Sequence, residues 1–174
     1  MIRPVDIALR YEGVREVGGP NRGPDVERFL RTVRKPPGLA WCAAFVSTCV
    51  LEAWQENYNA AGNAGPIDEK SLPIQLTAGV MVLWTATPRA RRCPPKPGAI
   101  FIINNGLNAK TGARMGHTGF VVSLDGKRVN TIEGNTNAAG SREGDGVYRR
   151  SRLIADLAGF IDVNPKDEGA YNAV

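Results

Sequence analysis

The sequence predicts an α+β domain in which N-terminal helices pack on a small antiparallel sheet of about five strands. Three observations predict it. Apolar residues recur at helical spacing only before Pro97-Gly98. The segments after that point are short, β-branched or aromatic, and separated by Gly, Asn and Asp. No internal repeat or long linker divides the chain, so residues 1–174 read as one domain, with a core over about 12–163 and a polar tail over 164–174.

Residues 4–12 read as a short helix with Pro4 in the first turn, where a missing N–H is tolerated. In residues 24–34 Pro24 opens a second helix, and Asp25 and Glu27 favour its positive end. Val26, Phe29, Leu30 and Val33 give it an apolar stripe. Pro36-Pro37-Gly38 then stops the chain. A third helix runs from Trp41 to about Glu56, with Cys42, Phe45, Val46, Cys49, Val50 and Ala53 on its apolar face. Residues 57–72 read as loop and residues 73–84 as a fourth helix, although β-branched Val80 and Val82 weigh against it. Strands are expected at Ala99–Ile103, His117–Ser123, Val129–Gly134, Val147–Arg150 and Gly159–Val163, with a flexible loop over Asn104–Gly116.

Composition narrows the function classes. At 43% hydrophobic and 22% charged residues the chain is of ordinary globular make-up. Its longest apolar stretch, Leu39–Trp54, contains Ser47, Thr48 and Glu52 and is too short and polar to span a bilayer. Asp6, Arg10 and Glu12 interrupt the N-terminus, so no secretory signal is read there and synthesis in the cytoplasm is expected. Three cysteines argue against a disulfide framework. One histidine and the lack of CxxC or HExxH argue against a metal site, and no cofactor is expected. A net charge of +5 and a pI near 9.4 suit a polyanionic partner, nucleic acid or an anionic cell envelope. The basic clusters at 31–35, 89–92 and 149–152 lack interleaved aromatics and read as solvated surface rather than a nucleic-acid platform.

The chemistry concentrates on few residues. Cys42 opens a helix, and a helix N-terminus is one of the environments that favours the reactive thiolate. By position alone it reads equally well as a small core residue. Cys49, two turns on among Val46, Val50 and Ala53, reads as inert, and Cys93 sits in a loop with no helix to assist it. His117, the single histidine, opens an apolar strand beside a glycine-rich loop and is the available proton carrier for a cysteine nucleophile. If Leu124-Asp125-Gly126 is a three-residue hairpin loop, Glu133 falls directly opposite His117, with Cβ atoms ~5 Å apart, and Asn135 lies two residues further along that face. A two-residue turn would put Glu133 on the wrong face. Trp41 stands as a cleft-lining candidate or, alternatively, a packing residue.

The segments PGLAWCAAFVS at 37–47, PGAIFI at 97–102, GHTGFVVS at 116–123 and TIEGNTN at 131–137 together resemble the CHAP family of papain-like cysteine amidases and peptidases. GGPNRGPDVERFL at 18–30 belongs to the same resemblance, which extends over about residues 12–163. It implies a papain-like CHAP fold, Cys42 as nucleophile, His117 as base, and Glu133 with Asn135 as the polar residues that orient the ring. The implied substrate is bacterial peptidoglycan, cut at the N-acetylmuramoyl-L-alanine bond or at a peptide bond of the stem or cross-bridge. Ala99 departs from the Pro-Gly-Asp that often opens the family's first strand, and the acidic calcium pattern of some members is absent. Such an enzyme would reach the wall by phage-type release or through a secretion machine, the latter implying an immunity protein. Two other readings stand beside it: a protein transamidase or deamidase with the same Cys-His-Glu site, and a basic nucleic-acid-binding module.

Overall fold

The computed structural model describes residues 1–137 and 144–165, so residues 166–174 of the expected polar tail lie outside it. Among the described residues four α-helices precede a six-stranded antiparallel sheet. The helices are α1 (Pro4–Arg10), α2 (Pro24–Thr32), α3 (Cys42–Ala60) and α4 (Val80–Ala86). The strands are β1 (Arg92–Cys93), β2 (Ile100–Leu107), β3 (Arg114–Asp125), β4 (Arg128–Thr136), β5 (Gly146–Leu153) and β6 (Gly159–Ile161). Their order across the sheet is β1-β6-β2-β3-β4-β5. This α+β layering is compatible with the papain-like CHAP fold. No helix among the described residues is long and apolar enough to cross a membrane.

Helix α3 is the central element. It packs on β3 and β4 and against α1 and α2, and α1 also reaches β3 and β4. The stripe Val26, Phe29 and Leu30 of α2 is fully buried, as the helical spacing predicts. Phe29 stacks on Trp41 with ring centroids 5.6 Å apart and meets Phe45 edge-on at 5.4 Å. Gly134 of β4 lets this aromatic cluster close over the strand. A Cβ there would stand 2.7 Å from both Phe45 and Trp41. The first turn of α3 is thereby pressed onto β4, one residue from Glu133.

Several elements depart from the sequence reading. The fourth helix starts at Val80 rather than Pro73. Thr77 is instead tied to α3: its carbonyl accepts from Ser47 Oγ and its N–H donates back to that oxygen, both at 3.1 Å. Those backbone groups are withdrawn from any helical ladder. Helix α3 runs four residues past Glu56. The segment 104–116 is not a free loop, because β2 extends to Leu107 and β3 begins at Arg114, which pair with one another. The two-residue strand β1, on the sheet edge beside β6, has no counterpart in the expected five.

The β3–β4 hairpin corrects the expected register. Asp125 pairs with Arg128, leaving a two-residue turn with Gly126 at φ 55. That turn alone would send Glu133 to the face away from His117. A β-bulge intervenes: Ser123 pairs with Asn130 but Val121 with Thr131, so Val122 is an extra residue in β3. Beyond it Phe120 pairs with Ile132, and His117 and Glu133 share a face as diagonal neighbours rather than direct opposites. Gly119 lies between them across the ladder. A Cβ there would meet Ile132 O at 2.6 Å and Glu133 Cγ at 3.0 Å.

Candidate active site

Cys42 is the first residue of α3, where backbone N–H groups have no intrahelical acceptor and the helix dipole favours negative charge. Trp41 caps the helix, and its carbonyl accepts from Phe45 N at 2.8 Å. The Trp41 side chain is 0% exposed and its Nε1 donates to Glu16 Oε1 at 2.9 Å. This overturns its candidacy as a cleft-lining residue. It is an internal anchor for the start of α3.

Asn135 also serves that anchor. Its backbone has φ 55, and it is 2% exposed. With its amide oriented to satisfy both neighbours, Nδ2 donates to Gly144 O and Oδ1 accepts from Trp41 N, each at 3.1 Å. The amide therefore ties β4 to the helix entry and the residue leading into β5. Its engagement there corrects the expectation that it backs the imidazole.

His117 and Glu133 do meet. His117 Nε2 donates to Glu133 Oε2 at 2.8 Å, with the two side chains 4% and 0% exposed. The carboxylate has three partners among the described residues. Arg152 grips it in bidentate fashion, Nε to Oε1 at 2.9 Å and Nη2 to Oε2 at 2.6 Å. Thr131 Oγ1 donates to Oε1 at 2.6 Å. Burial pushes the Glu133 carboxyl up, but the hydrogen bonds from Arg152 and His117 outweigh it and bring the pKa down to about 2. An ionised carboxylate only accepts, so Nε2 must carry a proton and Nδ1 is left to face elsewhere.

Nδ1 is buried and has no hydrogen-bond partner among the described residues, and Cys42 is the group besides Glu133 that acts on the charge of the ring. Burial pushes the imidazole down, yet its interactions with Cys42 and then Glu133 raise its pKa to about 9. The raised pKa favours the imidazolium form of the ring, which the Glu133 carboxylate holds at Nε2. A nucleophile, a proton carrier and an orienting anion in this sequence are the parts needed for acyl transfer.

Cys42, 6% exposed, borders a groove of about 510 Å³. Glu16, Asn21 and Asn135 line it together with Val80, Arg114 and Gly116. Cys49 lies at 0% exposure in the core, where burial pushes its thiol well up. Cys93 is half-buried on the edge strand β1. Among the described residues no group of three His, Cys, Asp or Glu side chains is placed to hold a metal ion.

Sequence reasoning missed Arg152 and Thr131. The cluster 149–152 was expected to be solvated surface, and Arg149, paired with Glu12, fits that description. Arg152 does not, because it pairs with a carboxylate that is wholly buried. A signal existed: a Glu on an apolar strand requires a counter-charge. The β4–β5 pairing that supplies it depends on a connection whose geometry the residues do not dictate.

Comparison with known proteins gives three findings. The family model described as CHAP domain matches residues 34–135, more than half of the chain and a span that contains Cys42, His117, Glu133 and Asn135. Curated proteins give no significant match. The solved structure named "The crystal structure of Ly7917" is similar over 92% of this chain and 61% of that one, at 16% identity and a TM-score of 0.46. This chain therefore spans less than two thirds of that protein's length.

Proposed function

The chain belongs to the CHAP domain family, typically cysteine- and histidine-dependent amidases or peptidases of peptidoglycan, and we propose that it cleaves an amide bond of the bacterial cell wall through a thioester on Cys42. The observation that carries the reading is the buried relay from Cys42 through His117 to Glu133, with its sulfur end on an open groove.

In this reading the Cys42 sulfur, as thiolate, attacks the amide carbonyl, forming a C–S bond while the carbonyl π electrons move to oxygen. The N-terminal turn of α3 stabilises the oxyanion through the Cys42 N–H and the helix dipole. Collapse breaks the C–N bond, and the departing amine takes the proton from His117 Nδ1. His117, now neutral, removes a proton from water. The hydroxide attacks the thioester, the C–S bond breaks with its electron pair returning to sulfur, and the acid leaves with the thiolate and the imidazolium restored. Glu133, held by Arg152, keeps Nε2 protonated throughout and so reserves Nδ1 for both transfers.

Phage-type release or delivery by a secretion machine, the latter with an immunity protein in the producer, belongs to the same proposal. The test treats purified sacculi with wild type and Cys42→Ala, and analyses the fragments by mass spectrometry. New N-termini at L-alanine identify an amidase, and new termini within the stem or bridge an endopeptidase. Wild type releasing no wall product at several pH values overturns the reading. A one-dalton change or a new amide on a protein substrate, without wall products, replaces it with deamidation or transamidation.

A further inference from the structure

The groove at Cys42 has walls of opposite charge. One wall carries Glu16, Asn135 and Gly144. Glu16 is fixed there, its carboxylate accepting from Trp41 Nε1 and its backbone N–H donating to Asp145 O at 2.8 Å. The other wall carries Val80, Gly116 and Arg114, the one cation that borders the groove among the described residues. Gly116 is closely packed, since an added Cβ would stand 2.6 Å from Ile103 O and 2.8 Å from Val80 Cγ1. Arg114, two residues earlier on β3 and paired across the ladder with Leu107, is thus presented from an anchored strand.

Arg114 is also exposed and uncommitted. Arg28, Arg34, Arg149 and Arg152 each pair with a carboxylate. The guanidinium of Arg114 has no hydrogen-bond or ion-pair partner among the described residues. A free guanidinium beside a nucleophile attracts an anionic substituent to its own wall, and fixed Glu16 disfavours that substituent on the other. Its planar fork matches a carboxylate with two parallel hydrogen bonds. A carboxamide presents one acceptor and one donor, so it leaves half of the fork unpaired.

We propose that Arg114 is a specificity residue that binds a free carboxylate of the peptide stem, so that the enzyme favours stems whose carboxyl groups are not amidated. This rests on the reading of the chain as a peptidoglycan hydrolase.

The test uses two defined muropeptides that differ only in whether the stem carboxyl groups are free or converted to carboxamides. Wild type is expected to show kcat/KM about tenfold higher on the free-acid stem, the scale of one charge-assisted contact at a partly open site. Arg114→Gln brings that ratio to about one through a higher KM for the free-acid stem, and Arg114→Lys keeps part of it as a point charge without a fork. Equal cleavage of both stems by wild type overturns the inference, as does an undiminished ratio in Arg114→Gln. Wild type cleaving neither stem is a different result: it overturns the hydrolase reading, and this inference falls with it.

Discussion

Helix α3 carries two cysteines two turns apart, and both are buried: Cys42 is 6% exposed and Cys49 0%. Burial therefore does not separate a candidate nucleophile from a core residue. Their surroundings do. Cys42 begins the helix, acts on the charge of an imidazole and borders a groove. Cys49 sits mid-helix in hydrocarbon, and desolvation holds it as a neutral thiol. One α-helix thus offers a site for charge at its end and excludes charge from its middle, only seven positions further on.

Removing each sulfur in turn tests that contrast most severely. Cys42→Ala is expected to lower wall hydrolysis by roughly 10⁴-fold or more. Cys49→Ala should retain activity and lose only about 1–2 kcal/mol of stability, read from urea melts, for the small cavity left behind. Comparable inactivation by both substitutions breaks the contrast. Mass-mapped alkylation of the native protein should modify Cys42 and leave Cys49 unreacted until denaturant is added.

The next largest effect lies behind the imidazole. With the pKa of His117 raised to about 9, the alkaline limb of wild-type kcat/KM is expected near that pH. Glu133→Gln should lower the rate by roughly 10²-fold and move that limb to lower pH, because the anion that supports the imidazolium is gone. An unmoved limb in the pH–rate profile rejects Glu133 as the ring's partner. Asn135 cannot replace it, since its amide is engaged with Trp41 and Gly144. Arg152→Gln acts one step further out. It releases Glu133 from its main counter-charge, so activity should begin to fail at a higher pH on the acid side than in wild type.

Stability linkage gives the smallest signal. His117 is raised above its ordinary 6.5, so its contribution is fully present below that pH and is lost as pH rises through about 9. Glu133 is lowered from 4.5, so its contribution is present above that value and is lost as pH falls through about 2. Urea unfolding across pH should place the pair's full contribution between 4.5 and 6.5, and His117→Ala should flatten the alkaline side. A profile with the same alkaline slope in the variant contradicts the assignment.

The residues made α1, α2 and α3 legible because each begins at a proline or just after a Pro-Gly stop and carries a periodic apolar stripe. They placed Cys42 at a helix entry for the same local reason. Helix α4 was misread at its start because the contest was long-range: Ser47, thirty residues away, captures the backbone of Thr77. The facing of His117 and Glu133 was reached by an expectation wrong in both its parts, since a shorter turn and an unforeseen bulge cancel. Nothing in Phe120-Val121-Val122-Ser123 marks which residue is the extra one. Arg152 and the amide of Asn135 stayed hidden because their partners come from other strands and from the helix entry, where tertiary packing decides.

The bulge at Val122 does not line the groove, yet it restricts how the hairpin can be engineered. Deleting that one residue, or grafting a loop that shifts the strands by an odd step, would turn the inner half of β4 over. Gly134 would then look toward the imidazole while Glu133 was driven into Phe45 and Trp41. Residues added within the turn itself leave the β3–β4 pairing in place, whereas a one-residue change inside either strand between the turn and Glu133 does not.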